Sequence, residues 1–317
     1  MTHFAWEEMP PEAFSDDGIR QSDQVANAIR SAWQSSGTRH KDCAVAGPGS
    51  AVITRQLTLP AGLSEPEMES QVELEAAQQI PYAIEEVSLD FQVMGTMGDS
   101  GNEVDVLLVA SRTENVDNLS AVVEEAGLQP ALVDIETFGL ANAYLRLFAD
   151  ETREAGKEPV AVLDIGAGKM VLVVIDDGKL LYTRDLAFAA SQLVERIRSV
   201  YGEEAEIDAI LAGVDVPDDY EERVAGPFRE QFVQQANRAL QFYASSSNYR
   251  PVESVLLTGG GSRLPGLPEA LAESQNLVCH LADPLQKLRT PRRLQGNVLE
   301  RTAPSLVLAI GLALRGC

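Results

Sequence analysis

The sequence is poor in positive charge. Its 317 residues contain 25 Lys and Arg against 48 Asp and Glu, which gives a formal net charge of −23 at pH 7. A surface this negative repels nucleic acid backbones and anionic lipid headgroups, so we expect no nucleic acid partner and no direct binding to lipid. The simplest interpretation of the charge is solubility or a salt-rich cytoplasm.

Cysteine, histidine and long apolar runs are also scarce. Cys43, Cys279 and Cys317 stand at unrelated spacings, which favours a reducing cytoplasm over a disulfide framework. The most apolar run, 305–314, is well short of the ~20 residues of a membrane-spanning helix. The start of the chain does not resemble a signal peptide, and no Gly-x-Ser-x-Gly elbow or catalytic triad is visible. We therefore expect a cytoplasmic protein without a membrane span.

Apolar periodicity predicts short strands alternating with helices, the pattern of an α/β fold. The chain opens with a candidate strand at 4–6. A capping box of Ser64 and Glu67 begins a helix that ends before Pro81. Residues 176–179 (DDGK) predict a hairpin turn, and the charged stretch 151–158 is interpreted as a linker between two halves.

The first glycine loop, 164–169 (DIGAGK), lies between two apolar runs that read as strands. The spacing excludes a P-loop, because Leu163 and Met170 stand where that motif needs Gly and Ser or Thr. Asp164 has two interpretations with equal weight: it orients Mg²⁺-bound water, or it satisfies its own loop amides in an Asx turn. Lys169 either reaches a phosphate or is an exposed turn residue, and the second interpretation is favoured.

The second glycine loop, 257–262 (LTGGGS), follows another apolar strand. Three successive positions without a Cβ exceed what a strand-to-helix connection needs. They favour a flat backbone shelf under a purine or ribose, while a tight connection remains the alternative.

Both loops, together with 309–315, resemble the second half of an actin-like ATPase fold, at its second phosphate loop, adenosine loop and closing helix. Further segments resemble the family of the type IV pilus assembly protein PilM, which is related to FtsA. These segments are 52–55, 73–76, 79–87, 89–91, 104–110 and 240–247. Within them, Pro81-Tyr82 belongs to the most family-specific stretch, whereas the glycine loops are typical of the whole superfamily.

The resemblance implies an α/β fold of the actin-like, ribonuclease H-like type, with two lobes and an inserted small α+β subdomain. Lobe 1 would comprise 1–155, divided into a parent subdomain (1–49 and 129–155) and the insert (50–128). Lobe 2 would comprise 156–302, divided into a core (156–190 and 252–302) and a helical insert (191–251). The closing helix, 303–317, would return to lobe 1.

The resemblance also implies a function, namely a cytoplasmic scaffold for type IV pilus assembly and twitching motility. Family members bind the N-terminal cytoplasmic tail of PilN in a groove between the insert and its parent subdomain. They are thereby peripheral to the inner membrane, and other platform proteins and pilus ATPases are further expected partners.

Family members can bind ATP with Mg²⁺, which assigns cofactor-binding roles by resemblance but no catalytic residue. Asp164 is also the metal candidate, and Asp134 and Glu136 are expected to face the cleft between the two lobes from the first lobe. The candidate cofactor-binding residues are Asp164, Gly166, Ala167, Gly168, Lys169, Gly259, Gly260, Gly261 and Ser262.

Several departures from the family pattern weaken the nucleotide expectation. Family members begin with two strands around an Asp-x-Gly-Ser-like first phosphate loop, whereas this sequence begins near the third strand. Met170 and Val171 replace hydroxyl residues, Ala189-Ala190 replaces Gly-Gly, and 203–210 contains no Lys. We therefore expect nucleotide binding to be weak or lost and hydrolysis to be absent. Two alternatives stay open: an active actin-like ATPase whose complete chain starts upstream of Met1, or a relative serving type II secretion or cell division.

Overall fold

The computed structural model describes residues 1–15, 18–97, 101–150, 159–246, 250–291, 294 and 297–315. The chain forms two compact units. The N-terminal unit is Ala5–Glu136, and the C-terminal unit is Thr137–Cys317 together with Met1–Phe4. The linker interpretation of 151–158 falls outside the described residues, and the lobe and subdomain boundaries stay a prediction.

The N-terminal unit combines three small sheets with three helices among its described residues. Strands β4, β6 and β5 form an antiparallel sheet in the order β4-β6-β5, β3 pairs with β7 in parallel, and β1 pairs with β2. In chain order the elements are β1 (Phe14–Ser15), β2 (Gly18–Ile19), α1 (Ser22–Ser36), β3 (Asp42–Gly47), β4 (Val52–Pro60), α2 (Glu65–Gln79), β5 (Val87–Met97), β6 (Glu103–Arg112), α3 (Thr113–Glu125) and β7 (Gln129–Ile135).

Alternation along the strands decides which face of the three-stranded sheet is buried. Leu57 and Leu59 on β4 point to the same face as Val106 and Leu108 on β6, and the apolar side of α2 covers that face. The predicted capping box at the start of α2 is confirmed. Within it the carboxylate of Glu67 accepts hydrogen bonds from the Ser64 amide at 2.8 Å and hydroxyl at 2.7 Å.

The strand predicted at 4–6 is wrong. These three residues belong to no strand in the structure. The apolar stretch is very short, and Pro10 and Pro11 follow it closely. Because proline lacks the N–H that a ladder needs, the segment cannot be extended into a paired strand.

A five-stranded mixed sheet forms the centre of the C-terminal unit, in the order β10-β9-β8-β11-β12. Strand β11 is parallel to both neighbours, and the β8–β9–β10 meander is antiparallel. The elements are α4 (Glu136–Leu147, beginning at the last residue of the N-terminal unit), β8 (Val160–Ile165), β9 (Met170–Asp176), β10 (Lys179–Leu186), α5 (Ser191–Tyr201), α6 (Ile207–Leu211), α7 (Gly226–Ser246), β11 (Ser254–Thr258), α8 (Leu267–Gln275), β12 (Val278–Leu281), α9 (Asn297–Thr302) and α10 (Val307–Ala313).

Both faces of this sheet are buried, which explains why β8 and β9 read as continuous apolar runs. Alternate residues such as Leu163 and Leu172 face a core built with α5, α7 and α8. Their neighbours Val162 and Val173 face a second core built with α4 and α10. The predicted hairpin is confirmed as the β9–β10 turn, where Asp177 (φ +48°) and Gly178 (φ +74°) both take left-handed backbone.

Helices α4 and α10 touch through glycine. A Cβ on Gly311 would lie 1.9 Å from the carbonyl oxygen of Gly139, so no larger residue fits there. The Asn142 side-chain amide adds a hydrogen bond of 2.6 Å to the Gly311 carbonyl. No helix among the described residues has both the length and the apolarity that crossing a bilayer requires.

Candidate functional site

The first glycine loop forms the turn between β8 and β9. The Gly166 amide donates to the Lys169 carbonyl at 2.9 Å, which closes the turn, and Ala167 and Gly168 are exposed at its tip. A strand rather than a helix follows the turn, as the exclusion of a P-loop required. The turn therefore presents two small residues to solvent.

The second glycine loop follows β11 and is held by hydrogen bonds to the Pro304 carbonyl. The buried Gly259 has a left-handed backbone (φ +84°), and its amide donates to the Pro304 carbonyl at 3.0 Å. The Thr258 hydroxyl donates to the same carbonyl at 2.7 Å. Ser262 is buried and its hydroxyl donates to the Gly259 carbonyl at 2.7 Å, while Gly260 is exposed. Ser262 thus stabilises the loop itself.

The two loops lie side by side because β8 and β11 are parallel neighbours, with Thr258 opposite Asp164. A Cβ on Gly259 would lie 2.5 Å from the Ile165 carbonyl oxygen and 2.7 Å from Oδ1 of Asp164. A Cβ on Gly261 would lie 2.4 Å from Cγ2 of Ile165. Two segments about a hundred residues apart in sequence thus form one surface with glycine at its contact points.

The start of α5 joins the same surface, which sequence reasoning saw only as an Ala-Ala departure. The Ala190 amide donates to the Gly166 carbonyl at 2.9 Å, and the Ser191 amide donates to the Ala167 carbonyl at 3.1 Å. A helix N-terminus usually attracts anions through such amides. Here two of them are already satisfied by the first glycine loop.

Lys169 is ion-paired, and this answers part of the question that the sequence left open. Its Nζ lies 2.9 Å from Oδ2 of Asp185, and the two side chains are 32% and 31% exposed. No local pattern in the sequence indicated this pair, because the partner lies on β10. A phosphate that used the Lys169 ammonium would compete with Asp185 for it.

Asp164 and the first-lobe carboxylates have separate surroundings. Asp164 is half-buried, and Oδ1 of its carboxylate lies against the α-carbon of Gly259. In the N-terminal unit, Oδ1 of Asp134 accepts from the Ile135 amide at 2.8 Å, and Oε1 of Glu136 accepts from the Gly49 amide at 3.1 Å. The described residues contain no group of three or more metal-ligating side chains placed to hold a metal ion.

A polar cavity of about 440 Å³ lies in the N-terminal unit, where β6 passes into α3. Within it, the Arg112 guanidinium is 3.1 Å from the Glu114 carboxylate and lies over the ring of the exposed Tyr82, 5.8 Å from its centroid. Sequence reasoning singled out the Pro81-Tyr82 segment but not this cavity. Its lining residues are Glu86, Arg112, Thr113, Glu114, Asp117 and Asn118.

Comparison with known proteins defines the fold class. The structure resembles the solved "PilM-PilN type IV pilus biogenesis complex", with a TM-score of 0.76 and 27% identity over 97% of this chain and 89% of that chain. It also resembles the ethanolamine utilization protein EutJ from Carboxydothermus hydrogenoformans, with a TM-score of 0.54 and 16% identity over 98% of this chain and 78% of that chain. The fold is that of the actin-like ATPases, as the sequence resemblance predicted.

A family described as "Type IV pilus assembly protein PilM" matches residues 1–317. The chain therefore belongs to the PilM family, and the family-level prediction made from the sequence is confirmed.

Proposed function

We propose that this protein is a cytoplasmic scaffold of the type IV pilus assembly platform that binds the cytoplasmic tail of a PilN-like membrane protein. The observation that carries the proposal is the likeness to the PilM–PilN complex, which extends over 97% of this chain. Peripheral association with the inner membrane would then come from the bound partner. Platform proteins and pilus ATPases are candidate further partners.

The polar cavity in the N-terminal unit is the docking point we propose for the tail. It lies where the three-stranded sheet passes into α3, and the family groove lies between the inserted subdomain and its parent. Arg112, Glu114 and Asp117 supply charges of both signs at its wall, and Tyr82 adds an exposed ring. Such a mixture suits a short peptide with polar backbone and a few anchoring side chains.

A tail peptide tests this proposal directly. The N-terminal cytoplasmic peptide of the PilN encoded by the same organism, labelled with a fluorophore, would be titrated with the protein and followed by anisotropy. We expect saturable binding that Asp117→Lys weakens by about tenfold or more, because the change reverses a charge in the cavity wall. Glu273→Lys, an exposed carboxylate on α8, is the matched control and should change the affinity less than about twofold.

The two possible failures have different meanings. If the peptide does not bind with or without ATP, the PilN-binding scaffold is wrong. If it binds wild type and Asp117→Lys equally, the scaffold stands and the cavity is not its docking point.

Nucleotide contact through the two glycine loops is the second proposed property. It is supported by the juxtaposition of Gly259 and Asp164 and by the exposure of the small residues Ala167, Gly168 and Gly260. It would use the nine residues named from the sequence. Asp164 would hold Mg²⁺ through water, and bound Mg²⁺ would neutralise phosphate charge. The paired Lys169 and the occupied amides of α5 favour weak binding.

Gly168 offers a clean test of this contact. A Cβ there meets no atom within 4 Å, and its φ is not left-handed, so a side chain should not disturb the fold. Gly168→Asp places a negative charge at the turn and should weaken Mg·ATP binding by about fivefold or more in calorimetry, whereas the neutral Gly168→Asn should weaken it less. Equal affinity of all three proteins would remove the first loop from the site.

A further inference from the structure

The end of α6 and the segment that follows it carry an exposed apolar tip, defined by Leu211, Val214 and Val216. These side chains are 44%, 72% and 44% exposed, whereas Ile210, one residue before them, is buried. Val214 is the most exposed of the large apolar side chains among the described residues. Scattered single apolar residues are ordinary at a surface, but three exposed within six positions concentrate apolar side chains in one short segment.

The backbone under the apolar tip is ordered by hydrogen bonds. The Gly213 amide donates to the Ile210 carbonyl at 3.0 Å, and the Val214 amide donates to the Ala209 carbonyl at 2.9 Å. With Gly213 at φ +74°, these two bonds form a Schellman motif at the end of α6. That motif commonly packs its last apolar residue back onto the helix, yet Val214 remains in solvent. Partner binding would therefore need little ordering of this segment.

The same segment is anchored to the core of its unit. Ile210 is buried in the core on the α5 and α7 face of the sheet, and Ile207 and Tyr220 pack against it. The residues that flank the apolar tip are therefore packed into the core of the unit. The tip is exposed even though the segment around it has tertiary contacts.

The surroundings of the apolar tip are strongly acidic. Residues 203–222 contain nine Asp and Glu and no Lys or Arg. Glu203, Asp219 and Glu221 pair with arginines of neighbouring segments. The other six carboxylates of the stretch are exposed, and they are Glu204, Glu206, Asp208, Asp215, Asp218 and Glu222.

We propose that the apolar tip and its acidic rim form a docking surface for a cationic amphipathic segment of a partner protein. Apolar side chains of that segment would cover Leu211, Val214 and Val216. Its Lys or Arg residues would face the rim, which raises the association rate and rejects acidic partners. The contact is small, so it suits a transient or auxiliary interaction.

Charge argues against the other occupants. An anionic membrane surface and a nucleic acid backbone are repelled by the rim, and a second copy of a chain with net charge −23 is repelled as a whole. The surface belongs to the C-terminal unit, whereas the cavity proposed for the PilN tail is formed by residues of the N-terminal unit. The two proposals use different side chains and can fail independently.

A model peptide tests the docking surface. A fluorescent synthetic helix built from leucine and lysine would be titrated with wild type and with the double variant Leu211→Ser, Val214→Ser. We expect the double variant to bind about fivefold more weakly or worse, and Asp208→Asn, Asp215→Asn to do the same. Leu74→Ser, at an exposed leucine on α2, is the matched control and should bind like wild type.

Two control peptides separate specific docking from general attraction to an acidic protein. A lysine–serine peptide without apolar residues and a leucine–glutamate helix should both bind at least about fivefold more weakly than the leucine–lysine helix. Hydrogen exchange should slow at 207–216 when the leucine–lysine helix is bound. Equal binding by the Leu211→Ser, Val214→Ser variant, or protection confined to α2, would overturn the proposal. A concentration-dependent oligomer that this variant abolishes would also overturn it, since the surface would then serve self-association.

Discussion

The α-carbon of Gly259 lies against the carboxylate of Asp164, so closely that a Cβ would be 2.7 Å from Oδ1 and 2.5 Å from the neighbouring Ile165 carbonyl oxygen. This contact joins two glycine loops that the sequence places far apart. It also explains why a glycine is needed there, since the backbone is left-handed and the space is filled.

Gly259→Ala should lower the free energy of unfolding by about 2 to 4 kcal/mol, from left-handed strain and overpacking together. Urea unfolding followed by circular dichroism measures the change. Gly168→Ala, whose new methyl group meets open space, is the matched control and should remain within about 0.5 kcal/mol of wild type. Equal effects at the two positions would contradict the packing described for the second loop.

Gly311 and Gly139 should differ although they touch each other. Gly311→Ala drives a methyl group into the Gly139 backbone carbonyl and should cost about 3 kcal/mol or more. Gly139→Ala meets the end of the Leu308 side chain at 2.6 Å, which can move, and alanine favours the helix. Its cost should be below about 1.5 kcal/mol. Unfolding curves in urea that rank the two variants in the opposite order would show that α4 and α10 are not packed this way.

Ser64→Ala should destabilise the protein by about 1 kcal/mol, since it removes the cap of α2.

The pKa of Glu67 lies below its usual 4.5, mainly because of the hydrogen bond from the Ser64 backbone amide and secondly because of the one from the Ser64 side chain. A lowered pKa in the folded state stabilises the protein above the unfolded pKa, and this stabilisation is lost as pH falls through the folded pKa. The difference in unfolding free energy between wild type and Glu67→Gln should therefore shrink below about pH 4.5. A difference independent of pH would contradict the capping role of the carboxylate.

Cys279 should react slowly with thiol reagents. The pKa of its thiol is raised to about 11 from the usual 9.0, mainly by burial and secondly by the negative charge of Glu269. A thiol pKa of about 11 in place of 9.0 lowers the thiolate fraction at pH 8 by about a hundredfold. In a Cys43→Ser, Cys317→Ser background, labelling by a disulfide reagent at pH 8 should be at least that much slower than for a small free thiol.

The raised pKa of Cys279 also makes the free energy of unfolding depend on pH. The direction is opposite to that for Glu67, because stability falls as the pH rises. The protonated thiol favours the folded state fully below about pH 9, and this contribution is lost as pH rises toward 11. Cys279→Ala should therefore lose less stability than wild type over this interval. Rapid labelling at pH 8 would show that the thiol is neither buried nor raised in pKa.

Local patterns predicted much of the fold. The helix of 191–201 has the bounds that periodicity gave it, and the capping box and the β9–β10 hairpin turn are confirmed. These features depend on residues near each other in the sequence, where propensity and turn chemistry act directly. The pairing of β1 with β2 and the short helix α6 were missed, because such brief elements depend on tertiary contacts.

The candidate site shows the same limit more sharply. The glycine loops were found as local motifs after apolar strands, but the sequence does not show that β11 lies beside β8. It therefore could not place Gly259 against Asp164. Nor could it show that Asp185, on the neighbouring strand β10, forms an ion pair with Lys169. The order of strands in a sheet depends on which helices cover its two faces. A local sequence pattern does not contain this information.

The two covered faces of the central sheet also govern the order in which the protein opens. Amide hydrogens in β8, β9 and β11 should exchange with solvent last, since releasing them requires both helical layers to separate. The turn at 166–169 is held at both ends by these slowest strands. Surface loops usually belong to the least stable part of a protein, whereas this turn should persist through every partial opening short of global unfolding.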